Sequence, residues 1–179
     1  FMASADTDYN KLKRFENYLP FQIGTWNNRE YQFTADVKKS SLSSPLLKID
    51  GSDKDLDLWN TLPPIFRSEL FVQKKPESES IATIKINNSP IQEPMILSRN
   101  FQNKKSIAVI AYGLYRWKLL GYAAETAKGD LSAQDLYSAF IKNSFRWLSI
   151  GRERQYVKIK TNKKNFGPAE KVEFIAQVY

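Results

Sequence analysis

The chain contains no cysteine and no histidine. The first absence removes disulfides, thiolate nucleophiles and zinc sites of the cysteine type. The second removes the commonest general base and the commonest metal ligand. Glycine is scarce, with 7 in 179 residues. No Walker-type or dinucleotide-binding glycine pattern occurs, so a phosphate-cradling loop and its nucleotide cofactor are not expected. No Gly-x-Ser-x-Gly elbow occurs either. A serine–lysine pair is compatible with the composition, but nothing marks one pair among many. No apolar run approaches the roughly 18 residues that cross a bilayer. The first residues, Phe1-Met2-Ala3-Ser4-Ala5-Asp6, lack the basic-then-apolar order of a signal peptide; Phe1-Met2-Ala3 reads instead as the end of a buried strand. No catalytic residue, cofactor or metal site is assigned, and a non-catalytic chain is expected.

What is present suits a packed domain. Hydrophobic residues make up 42% and aromatics 13%. The net charge is +8, and six of those charges fall from Lys142 onward. Asp6-Thr7-Asp8 is a helix start with Asp8 as N-cap. Tyr9, Leu12, Phe15, Tyr18 and Leu19 follow at helical spacing up to Pro20. Tyr31–Val37 reads as a strand, Ser40–Ser44 as a loop, and Gly51–Asp57 as an acidic turn. Strands are expected over Ser68–Lys74, Ile81–Ile86 and Pro94–Phe101. Ser106–Tyr112 is a near-continuous apolar run, as in a strand covered on both faces. Asp130–Ile150 is the clearest helix, with Ser132 and Asp135 as its cap and Gly151 as its stop. Beyond Arg152, Tyr156–Lys160 and Val172–Val178 alternate as two strands around Asn162–Ala169. An isolated hairpin is marginal in water, so it either joins the preceding sheet or opens a β-sandwich.

The order Leu19-Pro20, Ser44-Pro45-Leu46-Leu47, Trp59-Asn60-Thr61-Leu62-Pro63-Pro64, Pro94–Arg99, Gly113-Leu114-Tyr115-Arg116-Trp117 and Phe145-Arg146-Trp147-Leu148 resembles one bacterial group. It is the class I glutamine-amidotransferase-like domain of large membrane-anchored proteins associated with von Willebrand A-type proteins. The resemblance spans residues 1–151. It implies the C-terminal part of a flavodoxin-like α/β sheet with flanking helices. It also implies that residues 152–179, the C-terminal β-hairpin, open an immunoglobulin-like domain. In amidotransferases the triad is Cys, His and Glu; this segment offers no His, so no catalytic residue carries over. The position before Pro45, often His in this group, is Ser44. The implied setting is the bacterial cell envelope, with the cytoplasmic face of the membrane also open.

Three groups of residues are candidate contact sites. Arg116-Trp117 suits an anion or protein hot spot, or a Trp packed under the last helix. Trp59 with Pro63-Pro64 suits a docking loop, or a cover over one sheet edge. Lys158, Lys160, Lys163 and Lys164, near Tyr156 and Phe166, suit a polyanion, or a solvated strand face. With no recognised nucleic-acid motif, a nucleic-acid partner is not expected. Asp50, Asp53, Asp55 and Asp57 invite comparison with a calcium loop. Counted from Asp50, position 6 is Asp55 rather than Gly and position 12 is Thr61 rather than Glu, so calcium does not fit. The expected function is an interaction or structural module with an unidentified protein partner. The rivals are a non-triad part of an enzyme whose nucleophile lies upstream of Phe1, and a polyanion-binding module. Self-association is an outcome that solution mass would decide.

Overall fold

Two hairpin turns set the architecture. Asn87-Asn88 and Gln102-Asn103 each place two consecutive residues at positive φ, between 49° and 63°. That is the backbone of the tight two-residue turn whose twist matches antiparallel strands. The computed structural model describes residues 1–4, 6–49, 54–121 and 135–149, together with the strands Val157–Thr161 and Phe174–Val178. Contacts divide the chain into two units, Phe1–Ser149 and Ile150–Tyr179.

The first unit is built on five antiparallel strands. These are β1 (Phe21–Asp36), β2 (Ile65–Lys74), β3 (Ser78–Ile86), β4 (Ser89–Phe101) and β5 (Lys104–Val109), in the order β2-β1-β3-β4-β5. The flavodoxin-like α/β sheet expected from the resemblance is therefore replaced by an antiparallel one, and the amidotransferase-like shape goes with it. The reason is chain length. A parallel crossover needs a dozen or more residues, whereas two residues join β3 to β4 and two join β4 to β5.

β1 is longer than the alternation at Tyr31–Val37 suggests. It pairs with β2 from Phe21↔Lys74 to Phe33↔Ile65, then changes partner and pairs Thr34–Asp36 with β3. Register shifts interrupt it between Ile23 and Trp26 and between Asn27 and Glu30. The first shift accompanies a close approach: a Cβ on Gly24 would lie 2.8 Å from a Phe71 ring carbon and 2.9 Å from the Phe71 carbonyl oxygen. Just past β5, Tyr112 and Phe66 exchange backbone hydrogen bonds of 2.9 and 3.0 Å. This single bridge ties the chain after β5 to β2, at the far end of the strand order. Gly113 follows at φ +81°, a conformation other residues resist.

The helices are short. Asp8 caps α1 (Tyr9–Leu12) by accepting from the Lys11 N–H at 3.1 Å. The expected helix through Leu19 gives way to a 3-10 turn, Lys13–Phe15. The acidic segment after residue 53 is α2 (Lys54–Asn60) rather than a turn. A π-helical turn spans Trp117–Gly121. The long helix is α3 (Leu136–Ser149). Asp135 caps it by accepting from the Ser138 N–H at 2.9 Å; the cap expected at Ser132 lies outside the described residues.

β4 and β5 separate two apolar clusters, and alternate residues serve each. Ile96, Ile107 and Val109 join Trp59, Trp117, Leu136 and Phe140 in the larger core, beneath α2 and α3. Leu97, Ala108 and Ile110 join Tyr9, Leu19, Phe21 and Val72 in the smaller one. A strand with cover on both faces reads as an unbroken apolar run, as Ile107–Ala111 does.

In the second unit, β6 (Val157–Thr161) and β7 (Phe174–Val178) form an antiparallel pair, from Val157↔Val178 to Thr161↔Phe174. No described helix is long and apolar enough to cross a membrane.

Candidate functional site

Three of the aromatic and proline residues singled out in the sequence converge, but inside the larger core. The Trp59 and Trp117 rings meet edge-on, 6.1 Å apart at 79°. Trp59 meets Phe140 in the same way, 6.1 Å apart at 81°. The Trp59 indole N–H donates to the Leu47 carbonyl at 2.9 Å, and that of Trp117 to the Pro63 carbonyl at 3.1 Å. Both indoles are buried, so neither presents a contact surface. The prolines act as a spacer: Pro63 holds Trp117 and Pro64 leads into β2. Arg116 is half-buried, with its guanidinium 5.0 Å from the centre of the Phe66 ring, which stacks on Tyr112. Lys158 and Lys160 occupy alternate positions of β6, opposite Gln177 and Ile175. Lys163 and Lys164 lie outside the described residues.

Arg67 was not singled out, because strand alternation does not distinguish a buried cation from an exposed one. Its side chain is 1% exposed. It donates to the carbonyls of Leu70 at 2.6 Å and Pro94 at 3.2 Å, and pairs with Glu93 at 3.1 Å. These partners make it a clamp between β2 and β4. Beside Glu93 lies an open cleft of about 320 Å³, lined by Trp26, Tyr31, Glu69 and Phe71 among others.

Burial raises the pKa of Tyr9 and Tyr31, against the pull of the Arg67 charge, which lowers both. Burial also raises Tyr112, and the neighbouring Glu30 carboxylate adds to the effect. A phenol whose pKa is higher folded than unfolded stabilises the fold fully below the unfolded value, near 10. That contribution is lost as pH rises through the higher folded values. A melting temperature that falls above about pH 10 is therefore expected. Tyrosinate absorbance should show at least three of the nine tyrosines ionising late, together with unfolding. A single ordinary wave from all nine, with native circular dichroism retained, would contradict this placement.

The described surface also offers an apolar groove of about 190 Å³ between residues Phe1–Met2, β5 and α3. Residues 1–3 run along β5. Phe1 accepts from the Val109 N–H at 2.9 Å, and the Ala3 N–H donates to the Val109 carbonyl at 2.9 Å. Phe140 and Ile141 form part of the floor. Phe145 and Leu148 line it while remaining 67% and 41% exposed. Ser144 lines it too, while its hydroxyl is buried and without a hydrogen-bond partner. Lys142 and Arg146 are exposed on the same helix. Among the described residues, no group of three or more acidic side chains is placed to hold a metal ion.

Comparison with protein-family models, with curated proteins and with solved structures finds no match to this chain.

Proposed function

We propose that this chain is a non-catalytic interaction module of a bacterial cell-envelope protein, and that its groove takes an acidic, amphipathic segment of a protein partner. The observation that carries the reading is Phe145, a large apolar side chain left 67% exposed on the rim of an apolar groove. Apolar patches rimmed by polar groups are where partners dock. The chemistry of the occupant follows from the charge of the chain around the groove. The net charge of +8 favours carboxylates over cations, and Lys142 and Arg146, exposed on α3 outside the groove lining, add to it at longer range. A second copy of the chain fits less well, because two molecules of net charge +8 repel. The envelope setting rests on the ordered motifs from Leu19-Pro20 to Phe145-Arg146-Trp147-Leu148, whose implied fold is not kept.

A synthetic leucine–glutamate amphipathic helix, compared with its leucine–lysine counterpart, tests this. The acidic peptide should bind, and the basic one should bind at least about tenfold more weakly. Phe145→Ser should weaken the acidic peptide about tenfold, since burying a phenylalanine is worth roughly 1.5–3 kcal/mol. Equal affinity for the two peptides, or no effect of Phe145→Ser, would sink the reading.

A further inference from the structure

A second surface lies at the tip of the β4–β5 hairpin, and it is built differently from the groove. Five consecutive residues, Asn100–Lys104, are exposed there. The segment after α1 packs against this tip: Arg99 donates to the Asn17 carbonyl at 2.7 Å, and the Lys104 ammonium sits 5.2 Å from the centre of the Tyr18 ring. Arg99 lies 4.9 Å from the centre of the Phe101 ring. Tyr18 remains 57% exposed and Phe101 36%. One turn before Tyr18, Phe15 is 59% exposed, beside the exposed Arg14. The Tyr18 and Phe101 rings thus share the end of this hairpin with Lys104 and Arg99.

We infer that this tip is a peripheral contact for an anionic lipid surface, with Tyr18 and Phe101 entering the headgroup region and Lys104 meeting lipid phosphates. The inference does not rest on the groove. Two observations favour a membrane over a single-stranded nucleic acid. Strand-binding sites run the backbone along a groove past a series of open ring faces; here the aromatics sit at a turn, and a cation of the chain already lies over one face of Tyr18 and of Phe101. Second, an aromatic ring beside a long cationic side chain suits an interface that is apolar on one side and anionic on the other. The turn itself brings only neutral side chains, Gln102 and Asn103, and so adds no repulsion.

The test is co-sedimentation of the whole chain with vesicles of phosphatidylcholine alone and of phosphatidylcholine with one quarter phosphatidylglycerol. Binding is expected only to the second kind, and it should weaken as salt rises. Lys104→Glu should weaken it at least tenfold, since each cation near such a surface is worth about fivefold. Phe101→Ser should weaken it severalfold at unchanged charge, which simple charge attraction does not predict. Melting curves establish that the variants are folded; if Phe101→Ser is not, Tyr18→Ser replaces it. Lys158→Glu with Lys160→Glu separates this surface from the basic strand β6. The inference is overturned if anionic vesicles do not bind. It is also overturned if both tip variants bind like the parent, or if oligothymidylate binds in a Phe101-dependent way and displaces the vesicles.

Discussion

Replacing Trp59 with alanine is expected to destabilise the first unit by about 3–5 kcal/mol, the usual cost of emptying a large aromatic site in a core. For a chain of this size that is a fall in melting temperature of very roughly 6–20 °C. Trp59 is 0% exposed and packs edge-on against both Trp117 and Phe140. Its loss opens a cavity where α2, α3 and the π-helical turn meet the sheet. It also strands the carbonyl of Leu47, itself fully buried, which now accepts from the indole. Trp59→Phe keeps most of the apolar volume and loses only that hydrogen bond and part of the packing. It should cost roughly half as much, within the 1–3 kcal/mol expected for an orphaned buried carbonyl and a partial cavity. Urea unfolding followed by circular dichroism measures both. A Trp59→Ala variant within about 1 kcal/mol of the parent would mean that the three rings do not form the centre of the core.

The same tryptophan marks where the sequence was legible and where it was not. A Trp beside Pro63-Pro64 has the composition of a binding loop and equally that of a core lid, and only three-dimensional packing separates the two. The strands were plainer. Ile81–Ile86 alternates, and Ile107–Ala111 is apolar throughout because both of its faces are covered. The order of the motifs from Leu19-Pro20 to Phe145-Arg146-Trp147-Leu148 implies an α/β sheet, but the connections between the strands decide against it. Asn87-Asn88 and Gln102-Asn103 are connections of two residues, too short for a crossover, and the hairpins they make exclude a parallel α/β sheet there. The first half of β1 was hidden by its own irregularity, since the register shifts between Ile23 and Glu30 break the period of two. The groove was hidden for another reason. Phe145 and Leu148 belong to the apolar stripe of α3, and nothing local says that this stripe outruns the surface available to cover it.

Removing the Arg67 guanidinium is the other large expected effect. Charged side chains are almost never fully buried unless paired, and here the pairing is uneven: Glu93 is 45% exposed, so solvent screens its side of the ion pair. The stronger partners are the two backbone carbonyls, at 2.6 Å on Leu70 and 3.2 Å on Pro94. Arg67→Met keeps most of the stem volume but removes the guanidinium donor from both carbonyls, a loss of about 1–3 kcal/mol each. Relief from the cost of burying a charge offsets part of that, so a net destabilisation of roughly 2–4 kcal/mol is expected. Arg67→Lys keeps the charge, but a single ammonium cannot span both carbonyls as a planar fork does; about 1–2 kcal/mol should be lost. Glu93→Gln should fall below about 1 kcal/mol, because a half-exposed ion pair is worth little. Denaturant unfolding of the three variants fixes the order, and tyrosine titration supplies a second readout. The Arg67 charge lowers Tyr9 and Tyr31 against burial, so Arg67→Met should move their late ionisation to still higher pH. Some buried ion pairs are improved by apolar replacement. If Arg67→Met proved more stable than the parent, the guanidinium would be a tolerated burden on the β2–β4 contact and not its clamp.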